Sequence, residues 1–232
     1  MQRRSIVIDT DTASDDAVAL VMAFRHPEVD VIGVGVVAGN VPLELTQRNA
    51  RMMCDIAGCG DVPVFAGRAK PLRRDPITAE NIHGQTGIDG IDVFEPRTPL
   101  QEKDAVEAIV DILLASDPES VTLVPTGPLT NIAAAISREP RVLGRIEQIV
   151  LMGGAVFDSN ITPAAEFNIY VDPEAAKIVF DCGAPITVMP LDVTHKALVT
   201  KQRNDAFRAL GTPVGIAVAE MTDFFERFDK EK

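Results

Sequence analysis

The chain has 232 residues, of which 46% are hydrophobic and 24% charged, and its formal net charge is −12. That length suffices to bury the core of one large α/β domain. The acid excess, with no Lys/Arg run to offset it, excludes a nucleic-acid or anionic-membrane surface and suits a small neutral substrate or a cation. Cys54, Cys59 and Cys182 show no CxxC spacing and read as reduced structural thiols of a cytoplasmic protein. A strand begins too early to leave room for a signal peptide, and no apolar run is long enough to cross a bilayer. Tyr170 is the only tyrosine and Trp is absent, which weakens any case for a base-stacking platform.

In chain order, an apolar run at 5–8 predicts a strand, and a helix follows over 15–25. The turn between them carries Asp9, Asp11, Asp15 and Asp16. A strand at 29–37 runs to Gly39 and Asn40, then come a helix over 43–57 and a strand at 62–65. A long polar stretch, 68–99, holds His83 in a Gly-rich loop. Beyond it lie a helix over 102–115, a strand at 121–124 ending on Thr126 and Gly127, and a helix over 129–137. A strand at 146–152 leads into a second long loop, 153–171, and then a helix over 173–181. The last pieces are a strand at 186–191, a helix over 201–210 and an amphipathic helix over 214–228. That final helix presents Val214, Val218, Met221, Phe225 and Phe228 at helical spacing and needs a partner surface.

The apolar runs are continuous rather than alternating, as in strands covered on both faces. The β-then-α rhythm implies a mostly parallel sheet with helices on both sides, in a single α/β domain spanning 1–232. In such a sheet the strand ends face one way, so residues distant in sequence converge on one crevice.

Helix capping explains one or two of the four acids. Their excess, with no Lys or Arg among them, points to a hard cation held by oxygen ligands, with Asp11 and Asp16 as ligands. Asp9 reads either as part of that set or as a hydrogen-bond acceptor behind it. Asn40 suits a left-handed turn as well as a site. His83 is either a surface residue or a histidine on a flexible lid that contacts substrate. His195 reads as structural or rim-placed, and His26 as a helix-end residue. Asn160, Glu166 and Asn168 are ordinary loop types, but together they match the donors and acceptors of sugar hydroxyls.

Taken in order, Asp9-Thr-Asp11, Asp15-Asp16, Val-Ala-Gly-Asn40, Ile82-His-Gly84, Pro125-Thr-Gly-Pro-Leu-Thr-Asn131, Leu151-Met-Gly-Gly154, Ala165-Glu-Phe-Asn168 and Leu191-Asp-Val-Thr-His195 resemble the nucleoside hydrolases of the inosine–uridine-preferring type. The resemblance covers essentially the whole chain and implies a Rossmann-like nucleoside hydrolase fold. It implies calcium-dependent hydrolysis of the N-glycosidic bond of ribonucleosides in purine or pyrimidine salvage, by a homodimer or homotetramer. By motif, Asp11, Asp16 and the Thr126 carbonyl would bind Ca2+. Asp11 would also be the general base and His83 would approach the leaving base. Asp15, Asn40, Met152, Asn160, Glu166, Phe167 and Asn168 would surround the ribose.

Two departures accompany the resemblance. Thr12-Ala13-Ser14 stands where the family usually has Pro-Gly between the DxD and the paired acids, and glycine tolerates positive φ more cheaply than alanine. No His-Asp-Pro segment follows 214–228, so a metal carboxylate and a leaving-group acid are expected to be missing from a truncated sheet, leaving apolar surface on the last helix. An alternative is therefore a ribose- or nucleoside-binding chain without turnover. A third reading takes Asp9 as the nucleophile of a haloacid-dehalogenase-like phosphatase, with Asp11 as its acid.

Overall fold

The computed structural model describes residues 3–230, with residues 225–230 as helical backbone only. Its elements are β1 (Arg4–Thr10), α1 (Ser14–Arg25), β2 (Val29–Val36), α2 (Leu43–Ala57), β3 (Val64–Ala66), α3 (Glu80–His83) and β4 (Leu100–Gln101). They continue with α4 (Ala105–Ala115), β5 (Val121–Pro125), α5 (Thr130–Arg138), a 3-10 helix (Pro140–Arg145), β6 (Ile146–Met152) and α6 (Phe167–Val171). The last are α7 (Pro173–Phe180), β7 (Ile186–Met189), α8 (Leu191–Thr194), α9 (Lys201–Ala209) and α10 (Pro213–Lys230).

Seven strands form one sheet in the order β4-β3-β2-β1-β5-β6-β7, and every pairing is parallel. Alternate residues of β1 feed two cores. Val7 packs with α4, α5 and α7 on one face, whereas Ile6 and Ile8 pack with α1, α2 and Met221 of α10 on the other. Both faces are covered, which is why the strands read as unbroken apolar runs. This is an α/β sheet with helices on both sides.

The chain builds outward from β1 through β2, β3 and β4, then returns to lay β5 against the other side of β1. The strand order therefore reverses at β1, where Asp9 is paired with Gly35 on one side and Pro125 on the other. Open parallel sheets leave a crevice beyond the strand ends at such a reversal.

Local chemistry accounts for several boundaries. The strand expected over 186–191 stops at Met189, because Pro190 has no N–H for the ladder and Leu191 already starts α8. α2 ends on Gly58 in the left-handed region, at φ 64°, whose N–H caps the helix on the Asp55 carbonyl. The two-residue β4 and the short α3, α6 and α8 carry too little periodicity to be read from sequence. The last helix is largely packed where its side chains are described. α10 packs on α1, α2 and α9, with Val218 and Met221 buried, and among its described large apolar side chains only Ile216 is exposed. Phe225 and Phe228 lie outside the described side chains. No helix among the described residues is long and apolar enough to cross a membrane.

Candidate active site

Where β1 ends, the backbone turns through Asp11, Thr12 and Ala13 into α1, and Asp9, Asp11 and Asp16 are all buried. The Asn40 N–H donates to Asp11 Oδ2 at 2.8 Å, and Asn40 Nδ2 reaches Asp16 Oδ2 at 3.3 Å. Asp16 Oδ2 also accepts from the Ala13 N–H at 3.0 Å, which caps the start of α1. Asp11 Oδ1 and Asp9 Oδ2 are buried with no hydrogen-bond partner. Room for Asp11 is made by absent side chains, because a Cβ on Gly39 or on Gly127 would overlap it.

Electrostatics make this a place that needs positive charge. Burial, then the nearby Asp16, push the Asp11 carboxyl well above the usual carboxylate range. Burial, then Asp15, raise Asp16 to about 7. Burial also raises Asp9 to about 7, against the hydrogen bond from Asn131. A hard cation would relieve the repulsion between Asp11 and Asp16 and satisfy the open oxygen of Asp11. The donor set thus fits such an ion. Among the described residues, however, no group of three or more His, Cys, Asp or Glu is placed to hold a metal.

Asp15 is exposed on the first turn of α1. His83 ends the one-turn α3 within the 68–99 stretch and is half-buried. Burial lowers its pKa and the Asp15 carboxylate acts in the opposite direction, which places the two within electrostatic reach. Asn40 links the two sides again, since its carbonyl accepts from the Ala79 N–H at 2.8 Å at the start of α3. Ala79 and Ile82 of that segment pack against Phe167 and Val171 of α6.

Glu166 is buried and caps α6. Its Oε1 accepts from the Asn168 N–H at 2.9 Å, and its Oε2 from Gly154 and Ile169 at 2.9 and 3.1 Å. Asn168 Nδ2 donates to the Thr126 carbonyl at 2.8 Å and lies 3.3 Å from both the carbonyl and the sulfur of Met152. Exposed Asn160 accepts from the Phe167 N–H at 2.8 Å and so fixes the loop ahead of Glu166. His195 lies apart, exposed, with Nδ1 3.1 Å from Asp158, and His26 sits at the end of α1.

Two supporting residues receive no role from a reading of the sequence, although Asn131 closes one of the motifs. Asn49 of α2 is fully buried and donates to the Thr12 carbonyl at 3.1 Å and the Thr86 carbonyl at 2.8 Å, tying the acidic turn to the segment after His83. Asn131 of α5 donates to Asp9 at 2.8 Å. The signal available was an amide on the buried side of an otherwise apolar helix face. An open groove of about 830 Å³ at the far sheet edge, between β4 and α4, contains none of these residues.

Comparison with known proteins follows the same lines. The profile of the family described as inosine-uridine preferring nucleoside hydrolase matches residues 6–232. The pyrimidine-specific ribonucleoside hydrolase RihA of Escherichia coli is 46% identical over 227 residues, covering 98% of this chain and 73% of the relative. The purine-preferring ribonucleoside hydrolase from Gardnerella vaginalis superposes with a TM-score of 0.93 at 35% identity, over 98% of this chain and 73% of its own. A plant nucleoside hydrolase superposes with a TM-score of 0.90 at 33% identity, over 98% and 72% of the two chains.

Proposed function

The chain belongs to the inosine–uridine preferring nucleoside hydrolase family, and from that premise we propose that it hydrolyses the N-glycosidic bond of ribonucleosides with the help of a calcium ion. The observation that carries the reading is the pair Asp11 and Asp16, buried at the strand-order reversal, with one Asp11 oxygen unpartnered. Uridine and cytidine are the first substrates to try, because the 46% identical relative is a pyrimidine-specific enzyme.

Asp11, Asp16 and the Thr126 carbonyl would hold the ion. When bound there, calcium supplies the positive charge that keeps two carboxylates ionised side by side and makes a nearby water more acidic. Asp11 takes the proton from the water that attacks the anomeric carbon. As the glycosidic bond breaks, the ribose gains oxocarbenium character, and the acidic surroundings stabilise it. Asp15, Asn40, Asn160 and Asn168 bind the sugar hydroxyls, with Met152 and Phe167 against the ring. Glu166, whose carboxylate is engaged by three backbone N–H groups, shapes that wall as well as contacting the sugar. His83, near Asp15, faces the leaving base, which departs with the bonding electron pair and takes a proton from solvent water while Asp11 returns its proton to solvent.

Asp11→Asn tests the assignment. It removes the base and one ligand, so release of reducing sugar from uridine should fall by about 10²–10⁴-fold. A variant with parental turnover would overturn the role of Asp11.

A second reading is nucleoside binding without turnover. Calorimetric binding of uridine with no ribose formed would establish it. The phosphatase reading loses support, since its nucleophile would be Asp9, which is fully buried and held by Asn131.

A further inference from the structure

Asn131 stands in the first turn of α5 and is fully buried. Its single amide meets three segments. Nδ2 donates to Asp9 Oδ1 at 2.8 Å and to the Val36 carbonyl at 3.1 Å, while Oδ1 accepts from the Arg68 N–H at 2.9 Å. The backbone partners dictate which way the amide faces. An N–H only donates and a carbonyl only accepts, so Nδ2 must lie toward Val36 and hence toward Asp9. Both of its hydrogens are used. The ends of β1 and β2 and the segment after β3 are thereby tied to one side chain of α5.

The surroundings are cleared for this arrangement. A Cβ on Gly67 would overlap the Asn131 amide, and one on Gly35 would lie 2.5 Å from Asp9 Oδ1. Asp9 and Asp11 are two residues apart where β1 ends, so a shift of one is passed along the backbone to the other. The Asp9 carbonyl accepts from the Thr126 N–H at 2.8 Å, and the Thr126 carbonyl accepts from Asn168 at 2.8 Å. A displacement at Asp9 therefore reaches both expected ligand positions, Asp11 and Thr126.

We propose that Asn131 is the positioning residue of the acidic turn: by holding Asp9 and the Val36 carbonyl together, it sets where the Asp11 carboxylate stands. It touches neither substrate nor ion. The inference rests on the hydrolase reading given above.

Two substitutions test it. Asn131→Asp keeps the shape but turns an oxygen toward Asp9 Oδ1 and the Val36 carbonyl. Asn131→Ser is smaller, replaces the two amide N–H donors with one hydroxyl on a side chain too short to span Asp9 and the Val36 carbonyl, and decides the matter where Asn131→Asp does not fold. Thr130→Val is the control, because Thr130 Oγ1 donates at 2.7 Å to Asp172 at the start of α7, so the variant loses a buried hydrogen bond from the same helical turn. Calcium titration calorimetry, uridine kinetics and thermal melts are measured on the parent and all variants. Calcium affinity and kcat should fall by about 10–100-fold in the Asn131 variants, whereas Thr130→Val should lower the melting temperature alone. Parental affinity and kcat in folded Asn131→Ser would overturn the proposal, as would an equal loss in Thr130→Val. A parent that binds calcium but releases no ribose counts against the hydrolase reading, and the variant affinities still decide the role of Asn131. A parent that neither binds calcium nor releases ribose overturns both.

Discussion

Gly127 lies so close to Asp11 that a Cβ there would stand 2.8 Å from the Asp11 carboxyl carbon and 3.0 Å from its backbone nitrogen. Gly39 presses on the same side chain, with a notional Cβ 2.9 Å from the Asp11 Cβ. Asp11 occupies a slot between two glycines that follow different strands, so neither can gain a methyl group without moving it. Gly127→Ala should keep the fold, as judged by circular dichroism, and lower kcat for uridine by about 10²-fold through misplacement of the reacting group. Unchanged kcat would show that the slot has slack.

The buried carboxyls give a pH signature with a definite sign. Asp9 and Asp16 are both raised from 3.8 to about 7, and Asp11 is raised well above its ordinary range. Between about pH 4 and 7 the folded state therefore holds protons that the unfolded chain has already lost, and stability falls as pH rises through that window. His83 is lowered by burial and acts the other way, but only below its ordinary 6.5. In EGTA the protein should melt at a higher temperature at pH 6.5 than at pH 8. Added calcium requires ionised carboxylates, so its stabilising shift should be larger at pH 8. A metal-free melting temperature that climbs from pH 6.5 to 8 contradicts this picture.

Asn49 should behave as a staple between the acidic turn and the segment after His83. That segment is further held by Ser14, whose hydroxyl donates to the Gly87 carbonyl at 3.4 Å, and by Asp89, which accepts from the Thr86 N–H at 3.0 Å. Asn49→Leu leaves the Thr12 and Thr86 carbonyls without their donor, at a cost of about 1–3 kcal/mol for each buried group. Limited proteolysis should then cut within 84–90 faster than in the parent, with a lower melting temperature. Equal cleavage rates would mean that the remaining contacts suffice.

Much of the fold was legible because the sheet is covered on both faces. Short β-branched runs such as Ile6-Val7-Ile8 read as buried strands, and their order with the intervening helices implies a parallel arrangement. The acidic turn was legible for the opposite reason, since four carboxylates without a counter-charge are too costly to be incidental. The glycine missing between Asp11 and Asp15 proves unnecessary. Ala13 sits at φ −108° in extended backbone, so no left-handed residue is required there. What could not be read is reach across the sheet. Asn49 and Asn131 lie 37 and 122 residues from their partners Thr12 and Asp9, and no local pattern encodes such a contact. α3 escaped for want of length, and with it the half-buried position of His83.

Proton NMR of uridine incubated with the protein, in calcium and again in EGTA, tests the central claim most directly. The expected result is uracil and ribose appearing in equal amounts in calcium and at a much lower rate in EGTA. Intact uridine in both, with inosine and cytidine also unchanged, would contradict the assignment, as would release at the same rate in EGTA.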